Sequence, residues 1–147
     1  MTVNTATARY EGLGKEGRGH VSTRSGALDA DYGFGTRFEG QPGTNPEEMI
    51  AAAHAACFTM ATSFALAKAG HADGTLETEC KVTLEKEGEG FSVTKSALRL
   101  TGRVPGLARE EFERLAGEAK VGCPISKLLN CEITLETEFE GQAGVAG

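Results

Sequence analysis

The period of the hydrophobic and polar positions changes several times along this chain, and each change marks an element. In the first third, short alternating runs are separated by glycines: Ala6 to Glu11, His20 to Arg24, Ala27 to Ala30 and Tyr32 to Phe34. They predict short antiparallel strands joined by tight turns. From Asn45 to Ala69 the residues are Ala-rich and apolar almost all round, which predicts a long central helix enclosed by protein on most sides. Thr44 or Asn45 can cap it, Pro46 suits its first turn, Glu47 and Glu48 favour the positive end of its dipole, and Gly70 ends it. Next, Cys80, Val82 and Leu84 alternate with Glu79, Lys81, Thr83 and Glu85 in a strand with one buried face, and Gly88-Glu89-Gly90 makes a turn. The return strand begins with Phe91 and Val93 on odd positions and continues with Leu98, Leu100 and Val104 on even ones, so a β-bulge is expected near Lys95. Ala108, Phe112, Leu115, Ala116 and Ala119 predict an amphipathic helix over Leu107 to Lys120. Cys123-Pro124 then opens a short helical turn through Leu129, and Ile133, Leu135 and Phe139 alternate with polar residues in a last strand. The tail from Gly141 to Gly147 reads as frayed. No repeat or long linker divides residues 1–147, so the pattern predicts one α+β domain.

Composition narrows the chemistry. A chain of 147 residues is near the modal domain size and buries roughly 70% of its unfolded surface. With 15 Lys+Arg against 21 Asp+Glu, a net charge of -6 and no basic cluster, nucleic acid is excluded as a partner. Met1 to Ala6 lacks the basic start of a signal peptide, and no stretch approaches the ~20 apolar residues of a membrane span. The expected location is the cytoplasm. There, four cysteines are reduced, catalytic or metal-binding rather than a structural disulfide framework. Gly12-Leu13-Gly14-Lys15-Glu16-Gly17 has the spacing of a dinucleotide-binding loop, but a strand pattern follows it instead of a helix. A plain hairpin turn with no cofactor is the expectation.

Two cysteines stand in segments that can make them reactive. Cys57 lies in the apolar helix on the same broad side as Glu47 and His54, since a helix advances about 100° per residue. A thiol among alanines needs a cation to stabilise its thiolate, and Arg37 in Gly35-Thr36-Arg37-Phe38 is the nearest candidate, with Glu47 able to hold it in a bidentate pair. Cys123 precedes Pro124 at a helix N-terminus, where its pKa should fall. The spacing also fits a plainer reading: Cys57 as a small core residue, Glu47 as a dipole partner and His54 as a satisfied polar group. Cys80 and Cys131 read as structural. A zinc site built on His54-Ala55-Ala56-Cys57 lacks the paired ligands such sites show, and a Cys-His hydrolase lacks an oxyanion-hole signature.

Four segments together, Gly35-Thr-Arg-Phe-Glu39, Gly43-Thr-Asn-Pro-Glu-Glu48, Ala51-Ala-Ala-His-Ala-Ala-Cys-Phe58 and Cys123-Pro-Ile-Ser-Lys-Leu-Leu129, resemble the OsmC/Ohr family of thiol peroxidases in order and spacing. His54 and the Gly-Thr-Arg-Phe segment look closer to the OsmC branch. The resemblance implies antiparallel sheets wrapped around the central helix in an intertwined homodimer. It implies that Cys57 is the peroxidatic cysteine, Cys123 the resolving cysteine, Arg37 the thiolate-stabilising cation and Glu47 its partner. An organic hydroperoxide would be the substrate and a lipoyl-type dithiol the reductant, with the peroxide pocket placed by residues such as Met49, Phe58 and Met60. A redox sensor or partner-binding module using the same disulfide without turnover is the alternative from another class.

Overall fold

The structure, a computed structural model, describes residues 1–141. Its chain forms two compact units, Met1–Met49 and Ile50–Gly147. In the first, β1 (Ala6–Glu11), β2 (Arg18–Thr23) and β3 (Asp29–Tyr32) form an antiparallel sheet in that order. Ala6 faces Thr23 and Glu11 faces Arg18 across β1 and β2, so the glycine-rich segment is the connection of a hairpin, with one 3-10 turn at Gly14–Glu16. A short helix, α1 (Phe34–Phe38), follows where the sequence suggested the end of a strand. Five residues are too few for a periodic signal, and a local device closes this turn: the Gly33 N–H donates to Thr36 Oγ1 at 2.9 Å and the Thr36 hydroxyl donates back to the Gly33 carbonyl at 3.0 Å.

Helix α2 (Pro46–Lys68) starts as its capping residues predict. The Glu48 N–H donates to Asn45 Oδ1 at 2.8 Å, and Asn45 Nδ2 donates to the Thr36 carbonyl at 3.1 Å. In the second unit, β4 (Thr75–Glu87) and β5 (Gly90–Arg103) form a long antiparallel hairpin. Thr83 pairs with Lys95 and Leu84 with Val93, which leaves Thr94 as the extra residue of the bulge expected near Lys95. After α3 (Arg109–Gly122) and α4 (Pro124–Leu128), β6 (Glu132–Glu140) joins the other side of β5, parallel to it. The expectation of antiparallel sheets is corrected at this one pair. The two helices carry the chain back along the sheet, and such a crossover delivers a parallel strand.

The core gathers Phe58 and Leu66 of α2, Leu98 and Leu100 of β5, and Phe112, Leu115 and Ala116 of α3. Phe112 stacks on Phe139 with ring centroids 4.4 Å apart. On α2 only His54, Phe58, Thr62 and Leu66 are buried, while Met60 and Phe64 are 60% and 68% exposed. The single chain therefore encloses this helix along one stripe rather than on most sides. By length and composition α2 is also long and apolar enough to cross a membrane, contrary to the sequence expectation. Its buried stripe belongs to the core of the second unit. The tail beyond Gly141, read from sequence as frayed, lies outside the described residues.

Candidate active site

The residues singled out from sequence fall into two groups, one in each unit. In the first, Arg37 closes α1 and Glu47 opens α2. Arg37 Nε donates to Glu47 Oε1 at 2.9 Å and Arg37 Nη2 donates to Glu47 Oε2 at 2.8 Å, the bidentate pair the sequence suggested. The Glu47 hydrogen bonds raise the Arg37 pKa above its ordinary value, so the cation is fixed in place and always charged. Its guanidinium also lies 5.2 Å from the centroid of the Phe38 ring.

In the second unit, Cys57 and Cys123 bring their thiols within hydrogen-bonding reach of each other. Both are free thiols. Cys57 sits beside Phe58 at the edge of the buried stripe of α2 and is partly exposed, whereas Cys123, the N-cap of α4, is only 1% exposed. The Cys123 sulfur accepts the Ser126 N–H at 3.3 Å, and its S–H donates to Ser126 Oγ at 3.2 Å. Burial pushes the Cys57 thiol up, a rise that the Ile125 N–H offsets in part and that the neighbouring Cys123 sulfur adds to. Burial pushes Cys123 up as well, but hydrogen bonds from the Ser126 hydroxyl and N–H, the Cys57 thiol and the Ile125 N–H outweigh it, and its pKa falls below the ordinary value.

His54 is fully buried and is indeed a satisfied polar group, though its partners are not those nearest in sequence. Its Nδ1 lies 2.6 Å from Ser96 Oγ on β5 and its Nε2 lies 2.7 Å from Ser126 Oγ on α4. Burial lowers its pKa and keeps it neutral. Sequence reasoning missed both serines. Ser126 stands three residues after the N-cap Cys123, the spacing of a capping contact, and could have been found. Ser96 stands among the even-numbered buried positions of β5, where it reads as one polar residue in an apolar face. Cys80 continues the path, its sulfur 3.2 Å from Ser96 Oγ. Among the described residues no group of three or more His, Cys, Asp or Glu side chains could hold a metal ion.

The suggested peroxide pocket is corrected in part. Phe58 is fully buried in the core, while Met60 lines an open groove with Ala56, Thr59, Phe64 and Leu76. Two residues apart on a helix, about 200° of turn separates them, so they face different surroundings.

Residues 38–138 match the family described as OsmC-like protein. The chain is 48% identical to the peroxiredoxin OsmC of Escherichia coli strain K12 over 142 residues, which cover 95% of this chain and 99% of that protein. It is 33% identical to the organic hydroperoxide resistance protein OhrB of Bacillus subtilis strain 168 over 123 residues, which cover 83% of this chain and 89% of that protein. The crystal structure of the B. subtilis OhrB is similar with a TM-score of 0.71 at 31% identity, covering 93% of this chain and 98% of that one. Carried by a family match across most of its length and by relatives of this identity, and with a facing pair of thiols at its centre, the chain belongs to the OsmC family.

Proposed function

We propose that this protein is a two-cysteine thiol peroxidase that reduces organic hydroperoxides, and hydrogen peroxide less well, in the cytoplasm. The observation that carries the reading is the facing pair of free thiols, one partly exposed and one buried. The names of its relatives, a peroxiredoxin and an organic hydroperoxide resistance protein, support the same class of reaction. Access divides the roles: a peroxide reaches Cys57, and Cys123 waits behind it.

In this reading Cys57 reacts as the thiolate while Cys123 keeps its proton. That thiolate attacks the distal peroxide oxygen, the O–O bond breaks, the departing alkoxide takes a proton from water to leave as alcohol, and Cys57 becomes a sulfenic acid. Arg37, oriented by Glu47, is assigned to stabilise the Cys57 thiolate and the charge that develops on the peroxide oxygens. Cys123 then condenses with the sulfenic acid, releasing water and forming a Cys57–Cys123 disulfide. A lipoyl-type dithiol reopens it through a mixed disulfide. The apolar side chains of α2 that remain exposed, Met60 and Phe64, support assembly as a homodimer.

Turnover of cumene hydroperoxide with dihydrolipoamide tests the assignment. Cys57→Ser should fall to the uncatalysed rate. Cys123→Ser should consume about one equivalent in forming the Cys57 sulfenic acid and about one more as that acid is over-oxidised to sulfinic acid. Full turnover by Cys57→Ser would overturn the reading.

A further inference from the structure

Cys123 must lose and regain a proton in each cycle, yet it is only 1% exposed. Its side chain is nearly closed off from water. The structure offers it another route, an unbroken line of hydrogen bonds through the interior of the second unit. The Cys123 S–H donates to Ser126 Oγ at 3.2 Å, and Ser126 Oγ lies 2.7 Å from His54 Nε2. On the far side of the ring, Nδ1 lies 2.6 Å from Ser96 Oγ, which lies 3.2 Å from the Cys80 sulfur. With the His54 proton on Nδ1, every donor along this line points the same way: Cys123 to Ser126, Ser126 to His54, His54 to Ser96, Ser96 to Cys80. Each ring nitrogen meets a hydroxyl, which can donate or accept, so both neutral tautomers are served. The groups that face His54 and Cys123 come from three elements, Ser96 of β5, Cys57 of α2 and Ser126 of α4, with Cys80 of β4 behind Ser96. Among the described residues no carboxylate or cationic side chain hydrogen-bonds to either of them.

We propose that Ser126 and His54 form a buried proton relay that generates the resolving thiolate, Ser126 Oγ taking the Cys123 proton while its own passes to His54 Nε2. The inference rests on the reading of Cys57 and Cys123 as peroxidatic and resolving thiols. It assigns His54 as a positioning residue, acting through Ser126, and Ser96, itself bonded to Cys80, as the contact that holds the far side of the ring. Burial disfavours an imidazolium alone in this interior, but the relay forms it one hydroxyl from the Cys123 thiolate, as half of an opposite-charge pair. The step balances. The Cys123 sulfur attacks the Cys57 sulfenic sulfur, the S–S bond forms and the S–O bond breaks. The hydroxide that leaves combines with the proton that Cys123 gave up, making water and returning His54 to its neutral form. On the reductive leg the same line returns a proton to Cys123 as it leaves the disulfide. A neutral histidine with a hydroxyl on each side suits both directions.

The experiment separates the two steps after one equivalent of cumene hydroperoxide, reading sulfenic acid at Cys57 by dimedone trapping and disulfide formation by stopped flow. Ser126→Ala should slow disulfide formation by at least about tenfold and leave sulfenic acid formation within about twofold. His54→Gln can hydrogen-bond to the hydroxyls but cannot take the proton, and should show the same loss. In a Cys57→Ser background, the pH midpoint of Cys123 thiolate absorbance, taken as the difference from a Cys57→Ser, Cys123→Ser double variant, should move up by about one pH unit with Ser126→Ala. His54 is fully buried, so its replacement tests folding as well as chemistry; Ser126→Ala leaves the helix backbone intact and decides the question by itself. An unchanged disulfide rate and thiolate titration in Ser126→Ala would overturn the relay, and a full rate in His54→Gln would overturn proton acceptance by His54. Absence of Cys57 sulfenic acid in the wild-type protein would instead overturn the peroxidase reading, and the thiolate titration would still decide the relay.

Discussion

Glu47 shows how one side chain can govern another. Its carboxylate takes both Arg37 Nε and Arg37 Nη2, so the guanidinium has one orientation rather than a rotamer distribution. Glu47→Gln keeps the shape and loses the charge and one acceptor. It should slow sulfenic acid formation at Cys57 by about tenfold to a hundredfold, the equivalent of one charge-assisted hydrogen bond. Stopped-flow measurement of the first step checks this, and an unchanged rate would remove Glu47 from the machinery. His54 carries a second prediction, on stability against pH. Its folded pKa is lowered by burial, so the unfolded chain binds the proton more readily. The stability this group contributes is fully present above its unfolded pKa of about 6.5 and is lost as pH falls toward the folded value. His20, whose pKa is raised by hydrogen bonds to Asp31 and Asp29, works in the opposite direction. The difference between wild-type and His54→Gln urea midpoints isolates His54, and it should shrink from pH 7.5 to pH 5, as about 6.5 lies between them.

At the scale of elements, the ends and crossings of helices and strands offer sharper tests than their middles. The Asn45 cap joins two hydrogen bonds, one to the Glu48 N–H and one to the Thr36 carbonyl. Asn45→Ala should cost about 1 kcal/mol, read from a denaturant midpoint. Two glycines separate backbone strain from crowding. Gly70 ends α2 with a φ of 97°, and a Cβ there meets nothing within 4 Å, so Gly70→Ala should cost about 1 kcal/mol from conformation alone. Gly102 on β5 has ordinary extended backbone, but a Cβ there would stand 2.4 Å from the Phe112 ring, which is stacked on Phe139. Gly102→Ala should therefore cost more, about 3 kcal/mol, because the ring is wedged between two elements and has little room to move. Equal losses at the two sites would show that the Phe112 packing is soft.

For the molecule as a whole, the unanswered surface is the outer side of α2. Met60 and Phe64 are exposed there along with the small residues Ala56 and Ser63, an apolar face unusual for a chain that ends its search for partners as a monomer. The homodimer proposed above should appear in sedimentation equilibrium at micromolar concentration. Phe64→Glu should shift the protein toward monomer without unfolding the core stripe at Phe58 and Leu66, which faces the opposite way. A wild-type protein that sediments as a monomer would remove the dimer.

Read on its own, the chain's alternation and caps determined most elements and the bulge beside Thr94, because these depend on residues close in sequence, and the bidentate partner of Arg37 was legible because only a short connection separates its helix from the acidic first turn of α2. Motif order and spacing also sufficed to mark the family and the two thiols. The parallel pairing of β6 was not legible: an alternating strand looks the same whichever way its neighbour runs, and only the α3 and α4 crossover decides it. The one-sided burial of α2 was hidden because a helix apolar all round says nothing of what covers each face. Least legible of all was the path from Cys123 to Cys80. His54, Ser96 and Ser126 are 42 and 30 residues apart in the chain, and a serine acquires a role in proton transfer only when folding removes water and sets it within hydrogen-bond distance of a ring nitrogen.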